Sequence, residues 1–330
     1  MADAADGHAG TGSAPEGNGA DAEFERIVAP YRSELLVHAY RILGSNQDAE
    51  DALQEALTAA WRGWSGLRSP VAARSWLHRV TTNAALRTTE RRGPRTLSWE
   101  RTTAADPRAD LASPVLDDGW VEPFVDPGST ADPESSVLRR ERIELAWIAA
   151  LQRLPANQRA VLVLRDVLAY SAAETAEVLD TSTAAVNSAL QRARTTLARE
   201  REPDAGATEA DPAPVTGAVD DFVSAFNRGD VDALVGLLAA DARFTMPPLP
   251  AWFDGRTDVA TFLAEKVFAT PWRVRSTGPV NGWPAIFGEQ FHEGEWRSGA
   301  LMILHRSRRE IEWLATFVEP GLVDRWRNFS

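Results

Sequence analysis

The sequence predicts a multidomain chain: two all-α modules, the second carrying a helix-turn-helix, followed by an α+β domain. Three observations carry this. The chain has 330 residues, too many for one small core. Apolar residues recur at helical spacing from about Phe24 to Arg95 and again from about Glu134 to Arg201. After about Thr216 the pattern changes to two helical stretches and then a series of strand-like runs.

Taken in order, residues 1–22 are rich in Gly, Ala and Asp, without a hydrophobic stretch, and predict a disordered tail. The first module is placed at residues 23–95. Its opening stripe runs through Phe24, Ile27, Val28, Tyr31, Leu35, Leu36, Ala39, Tyr40 and Leu43. Gly44 stops it, and Ser45 or Asn46 can cap the next helix. That helix, Asp48–Trp61, buries Ala49, Ala52, Leu53, Ala56, Leu57 and Ala60 and turns Asp48, Glu50, Asp51, Gln54 and Glu55 outward. A third helix spans Ala72–Arg92. Residues 96–133 form an acidic linker with one compact aromatic patch, Trp120–Phe124, that is shaped to dock.

The second module, residues 134–201, is expected to hold helices Val137–Leu154, Asn157–Leu168, Ser171–Leu179 and Thr183–Arg199. A linker at 202–215 leads into the last domain, 216–330. There Val219–Asn227 and Val231–Leu238 read as helices. Ala242–Met246, Trp272–Ser276, Pro284–Gly288, Ser298–His305 and Ile311–Val318 read as strands.

Composition narrows the chemistry. The chain is 44% hydrophobic and 25% charged, as globular proteins are. No apolar run approaches the roughly 20 residues of a membrane span, so no membrane partner is expected and a cytoplasmic location is. Without cysteine, disulfides, thiolate metal sites and a cysteine nucleophile are excluded. Net charge is −12, yet Arg68–Arg101 holds eight arginines against two acids. Residues 103–137 hold one basic residue against eight acidic ones. A basic module can grip DNA locally inside such a chain, because salt screens charges beyond about 8–10 Å.

The strongest local signal is Ala172–Arg194. Ala173 and Ala176 allow close helix approach, a short turn follows, and Val186, Leu190 and Ala193 bury the second helix. Thr183, Asn187, Ser188, Gln191 and Arg192 then face outward, with side chains suited to base edges, while Arg194 suits a phosphate. In the third helix of the first module, Arg79, Asn83, Arg87, Arg91 and Arg92 form a basic, polar face suited to single-stranded DNA.

These pieces resemble one family. Asp48–Ala56 resembles the polymerase-binding helix of region 2 in extracytoplasmic-function sigma factors, and Trp76–Leu86 the adjoining helix that opens and reads the −10 element. Leu154–Asp166 resembles the start of region 4, which leads to the helix-turn-helix for the −35 element. The resemblance implies that Asp48, Asp51, Gln54 and Glu55 meet core RNA polymerase, engaged through its beta and beta-prime subunits. It implies promoter DNA as the second partner and transcription initiation as the function.

The last domain, through its late strands and the run Phe244–Arg256 taken as early helices, resembles a SnoaL-like (NTF2-like) domain. That is a cone-shaped α+β fold shared with ketosteroid isomerases, here expected to tune sigma activity in cis. The Trp120–Phe124 patch resembles a linker motif of one such subgroup. Asp254, Glu289 and His292 are candidate bases, and Trp252, Trp272, His292 and Trp296 candidate pocket residues for a small ligand. Tyrosine, the usual oxyanion donor of that fold, is missing from this segment. We therefore expect a non-catalytic domain without cofactor or metal. Two other classes remain open at this point: a ligand-sensing DNA-binding regulator, and an enzyme fused to a DNA-binding module.

Overall fold

The computed structural model describes residues 17–63, 70–116, 119–124, 143–200, 216–307 and 310–327. The tail up to residue 16, the second linker at 202–215 and the first turns of the helix expected from Val137 lie outside these.

In the first module, α1 (Gly17–Val28) leads through a 3-10 turn at Ala29–Tyr31 into α2 (Arg32–Leu43), α3 (Asn46–Gly63) and α4 (Pro70–Arg92). Helix α1 starts inside the segment expected to be tail. Phe24 and Val28 draw it onto Leu53, Leu57, Ala60 and Leu77, and Trp61 donates its indole N–H to Asp21 at 2.9 Å. Pro30 lies in the 3-10 turn that divides the single stripe read from the sequence into two helices. Gly44 ends α2 with φ of 69°, and Ser45 Oγ accepts the Asp48 N–H to cap α3.

The second module contains α5 (Leu145–Gln152), α6 (Ala156–Leu162) prolonged by a π turn at Val163–Val167, α7 (Ala172–Val178) and α8 (Thr183–Glu200). Ser171 and Glu174 form a reciprocal capping box at the start of α7. Asp180, at φ 51°, makes the tight turn between α7 and α8.

The C-terminal domain begins with α9 (Thr216–Arg228) and α10 (Val231–Gly236). Its strands are β1 (Leu238–Thr245), β2 (Trp252–Asp254), β3 (Trp272–Val280), β4 (Trp283–His292), β5 (Glu295–Ser307) and β6 (Glu310–Phe317). Helix α11 (Arg256–Phe262) lies between β2 and β3, and α12 (Pro320–Asp324) follows β6. Their order in the sheet is β2-β1-β6-β5-β4-β3, with β1 and β6 parallel and all other neighbours antiparallel. The run Phe244–Arg256, taken as helical, is instead the end of β1, a loop and β2, with α11 starting only at Arg256. Pro247, Pro248 and Pro250 in its middle deny it helical hydrogen bonds.

Both faces of this sheet are buried. Ile286, Ala300, Met302, Leu304 and Leu314 pack with the domain's own helices. The alternate residues Ala285, Phe287, Leu301, Ile303, Ala315 and Phe317 join one apolar cluster with the two helical modules. Strand periodicity thus gives one face to each layer, and the sheet is the middle of a sandwich.

The described part of the first linker, residues 96–116 and 119–124, is folded as well. Arg95 and Thr96 start it, a helical turn spans Ser98–Arg101, and Thr96 pairs with Trp120. Ala105 N–H donates to Trp252 O at 2.9 Å and Val115 N–H to Pro248 O at 2.9 Å, so the segment lies along the β2 edge. Trp120, Val121 and Phe124 are buried, as an aromatic docking patch should be.

Candidate nucleic-acid interface and its enclosure

On α8, Thr183, Asn187, Ser188, Gln191, Arg192 and Arg194 are all exposed, while Val186, Leu190 and Ala193 are buried. The outward face is what the helical spacing implies. Arg192 donates to Ser188 Oγ at 2.5 Å, a local contact that leaves its guanidinium at the surface. Arg194 is held by Asp166 through two bonds of 2.9 and 2.6 Å, and that carboxylate raises its pKa. A phosphate would have to share or displace Asp166.

The basic face of α4 exposes Arg79, Arg87, Arg91 and Arg92, with Asn83 half-buried. Arg87 and Arg91 reach Glu55 of α3 at 2.9 and 3.5 Å. The acidic helix and the basic helix therefore neutralise each other at Glu55, whereas Asp51 and Gln54 face solvent.

Asp48 corrects the sequence reading. Only 3% exposed, it cannot present a docking surface. Its carboxylate binds the buried Arg95 and, at 3.1 Å, Arg92. Arg95 also donates to Trp120 O at 2.8 Å and meets Glu122 at 3.2 Å. Asp48 thus anchors the linker, and Arg92 is partly committed to it. A buried ion pair of this kind needs its remaining N–H donors satisfied, and Trp120 O of the linker accepts from Arg95.

The two helical modules pack on each other. Tyr170, just before α7, lies edge-on to His78 of α4 at 5.7 Å, and Arg74 sits 5.7 Å over its ring. Glu34 meets both Arg74 and His78. Burial works against its ionisation, but the bonds from His78 and Arg74 prevail and hold its pKa at about 2. Arg159, among the most buried side chains, donates to Leu151 O, Gln152 O and Leu154 O in its own module and to Ile42 O in the other. Burial lowers its pKa to about 10, so it remains a cation held by carbonyl dipoles.

Asn281 joins all three modules, and sequence reasoning missed it. It sits at φ 50° in the β3–β4 turn, 1% exposed. Its Oδ1 accepts Phe124 N–H at 2.8 Å, and its own N–H donates to Phe124 O at 3.0 Å. Its Nδ2 donates to Tyr40 Oη at 2.9 Å and to Ile143 O. Tyr40 in turn donates to Glu122 O at 2.8 Å and stacks on Phe124, ring centroids 4.4 Å apart. The Asn281-Gly282 dipeptide between two apolar runs is a hairpin signal that could have found it.

The four residues expected to share a pocket do not come together. Trp252 and Trp272 lie on opposite edge strands of the sheet. The Trp252 indole donates to Thr102 O and that of Trp272 to Val267 O, both at 2.9 Å. His292 and Trp296 sit at the β4–β5 hairpin, where His292 is exposed and Trp296 lies under Arg273. The space between helices and sheet is occupied by aromatic side chains such as Phe244, Phe253 and Phe262, the last two stacked at 4.4 Å.

The candidate bases fare no better. Asp254 is exposed. Glu289 is held below the usual carboxylate range by a hydrogen bond from Arg273, against desolvation, and by Arg327. Among the described residues no cluster of three metal-ligating side chains occurs, and no helix is long and apolar enough to cross a membrane.

The family comparisons follow the same three-part division. The model of Sigma-70 region 2 matches residues 27–95, Sigma-70 region 4 matches 144–197, and the SnoaL-like domain matches 219–280. The chain is 40% identical over 269 residues to the ECF RNA polymerase sigma factor SigG of Mycobacterium tuberculosis, covering 80% of this chain and 72% of that one. It is 32% identical over 226 residues to SigJ of the same organism, covering 68% and 63%. The crystal structure of M. tuberculosis SigJ aligns with a TM-score of 0.58 at 25% identity over 92% of this chain and 98% of that one. With both sigma regions in order and a SnoaL-like domain behind them, this chain belongs to the extracytoplasmic-function RNA polymerase sigma factors.

Proposed function

We propose that this sigma factor brings core RNA polymerase to promoters with α8 at the −35 element and α4 at the −10 element, and that its C-terminal domain holds the free chain closed. One observation carries the second half: α4 and α7 are packed together, while the sheet and linker close over them in a single apolar cluster. Elements named for positions 25 base pairs apart are separated by roughly 85 Å of B-form duplex. Two modules in contact cannot span that distance, so promoter reading requires them to part.

On this reading Asn187, Ser188, Gln191 and Arg192 address −35 bases, with Thr183 and Arg194 beside the backbone. Arg79, Asn83, Arg87, Arg91 and Arg92 line the −10 strand. Asp51, Gln54 and Glu55 meet the beta-prime clamp, and Glu55 exchanges Arg87 and Arg91 for the polymerase. The second module docks beneath the beta-subunit flap. The C-terminal domain is a regulatory body rather than an enzyme, acting in the cytoplasm where the polymerase is. Its Asn281 latch binds both modules and the linker, so one opening event frees all three.

Run-off transcription with purified core polymerase and the full chain tests the assignment. Starts at defined promoters, with a −35 preference that changes when Gln191 or Arg192 is replaced, are expected. Transcription without promoter preference would remove the promoter-reading role.

A further inference from the structure

A cavity of about 370 Å³ opens where α2 and α3, the first linker and the C-terminal end of the chain meet. Leu36, Pro123, Leu322 and Trp326 give it apolar walls. A cleft of this size at a domain junction, with apolar walls and a few polar groups on its rim, is where small ligands bind. It has room for roughly a dozen water-sized groups.

Charge selects the occupant. Glu50, Glu122 and Glu319 line the cavity against a single cation, Arg325, which is already hydrogen-bonded to Gln47. Glu122 shares Arg95 with Asp48. Glu50 accepts a bond from Asn46 at 2.9 Å, and Glu319 accepts the N–H groups of Gly321 and Leu322. Neither Glu50 nor Glu319 is in an ion pair among the described residues. With Arg325 in the lining and Arg95 on Glu122, a carboxylate ligand still meets a net negative wall, whereas an ammonium group meets two carboxylates without a cation of their own.

We propose that this junction is an effector site for a small organic amine: a cationic head between Glu50, Glu122 and Glu319, and an apolar body against Leu36, Leu322 and Trp326. The site exists only while the three segments are together. Its ligand therefore favours the closed chain, by a factor of about 11 at a concentration ten times its Kd.

The test is titration calorimetry on the full chain with a panel of primary amines of eight to twelve non-hydrogen atoms, phenethylamine among them. Each is paired with its carboxylate isostere, 3-phenylpropanoate for phenethylamine. Saturable binding of at least one amine is expected, at least tenfold tighter than its isostere. Leu322→Trp, which fills the cavity, should abolish it, and Glu50→Gln should weaken it five- to tenfold. Should Leu322→Trp fail to fold, the exposed Glu50→Gln decides alone.

No saturable amine binding, equal binding of the carboxylates, or binding indifferent to both substitutions overturns the proposal. A fall in run-off transcript with bound amine rests in addition on the closed-state reading. Binding without that fall contradicts the closed-state reading and leaves the site standing.

Discussion

Replacing Asn281 by glycine isolates the latch. At φ 50° a glycine holds the turn without strain, so the substitution removes only the side chain. Three buried bonds are lost: from Phe124 N–H, to Tyr40 Oη and to Ile143 O. At about 1 kcal/mol each, with a further ~1 kcal/mol for leaving the Phe124 N–H unpaired, the closed arrangement loses roughly 3–4 kcal/mol. That is roughly two to three orders of magnitude in the ratio of closed to open chain. Amide hydrogen exchange reads it directly. Glu122 N–H, which pairs with Gly44 O across the linker junction at 2.9 Å and is untouched by the substitution, should lose protection by up to that factor, while Val186 and Leu190 inside the helix-turn-helix keep theirs. Run-off transcript at limiting core polymerase should rise. An Asn281→Gly chain that folds normally, with wild-type exchange at Glu122 and wild-type transcript, would refute the latch.

Three further outcomes are expected. Asp48→Asn should cost roughly 1.5–3 kcal/mol in urea unfolding, because it removes one of the two carboxylates that hold the buried Arg95; a loss of core affinity at unchanged stability would return Asp48 to the polymerase surface. Arg192→Ala should weaken −35 recognition by about 1–3 kcal/mol in a competition assay without altering stability; an unchanged −35 preference removes it from the interface. His305 is neutral in the fold, its pKa pushed down by burial to about 3, against about 6.5 unfolded. Between those values the unfolded chain binds a proton that the folded chain does not, so stability falls as pH drops, by up to about 1.4 kcal/mol per unit. His305→Phe, which can keep the stack on Trp313 at 4.2 Å, should lose less stability than wild type between pH 6.5 and 5 in urea titrations. Equal losses would show that His305 does not set this slope.

The helices were legible because each buries one stripe, and helical spacing survives without knowledge of the partner. Helix α8 shows it: Val186, Leu190 and Ala193 inward, Asn187 and Gln191 outward, as the spacing dictates. Asp48 misled because it lies beside Asp51 and Glu55 on the acidic helix, while its partner Arg95 stands 47 residues on. Periodicity carries no record of such a pair.

The aromatic linker patch announced docking but not its target, since Asn281 is 157 residues from Phe124. Ala300–His305 and Trp313–Val318 are apolar on both strand parities, the mark of a sheet covered on both faces. An enzyme-like cone open to ligand on one side and water on the other would alternate. Trp252, Trp272, His292 and Trp296 have the residue types of a pocket wall, but nothing in their spacing tells an edge strand from a cavity wall.

The central claim is that a closed free chain opens on the polymerase. The chain has no cysteine, so two introduced at exposed Glu90 on α4 and Ala198 on α8 take a dye pair without background labelling. Energy transfer between them should report a single distance in the free chain. On binding core polymerase and promoter it should report an increase on the order of tens of ångströms. Asn281→Gly should produce part of that increase without polymerase. A free chain already at the long distance, or a distance that core and promoter leave unchanged, would contradict the account.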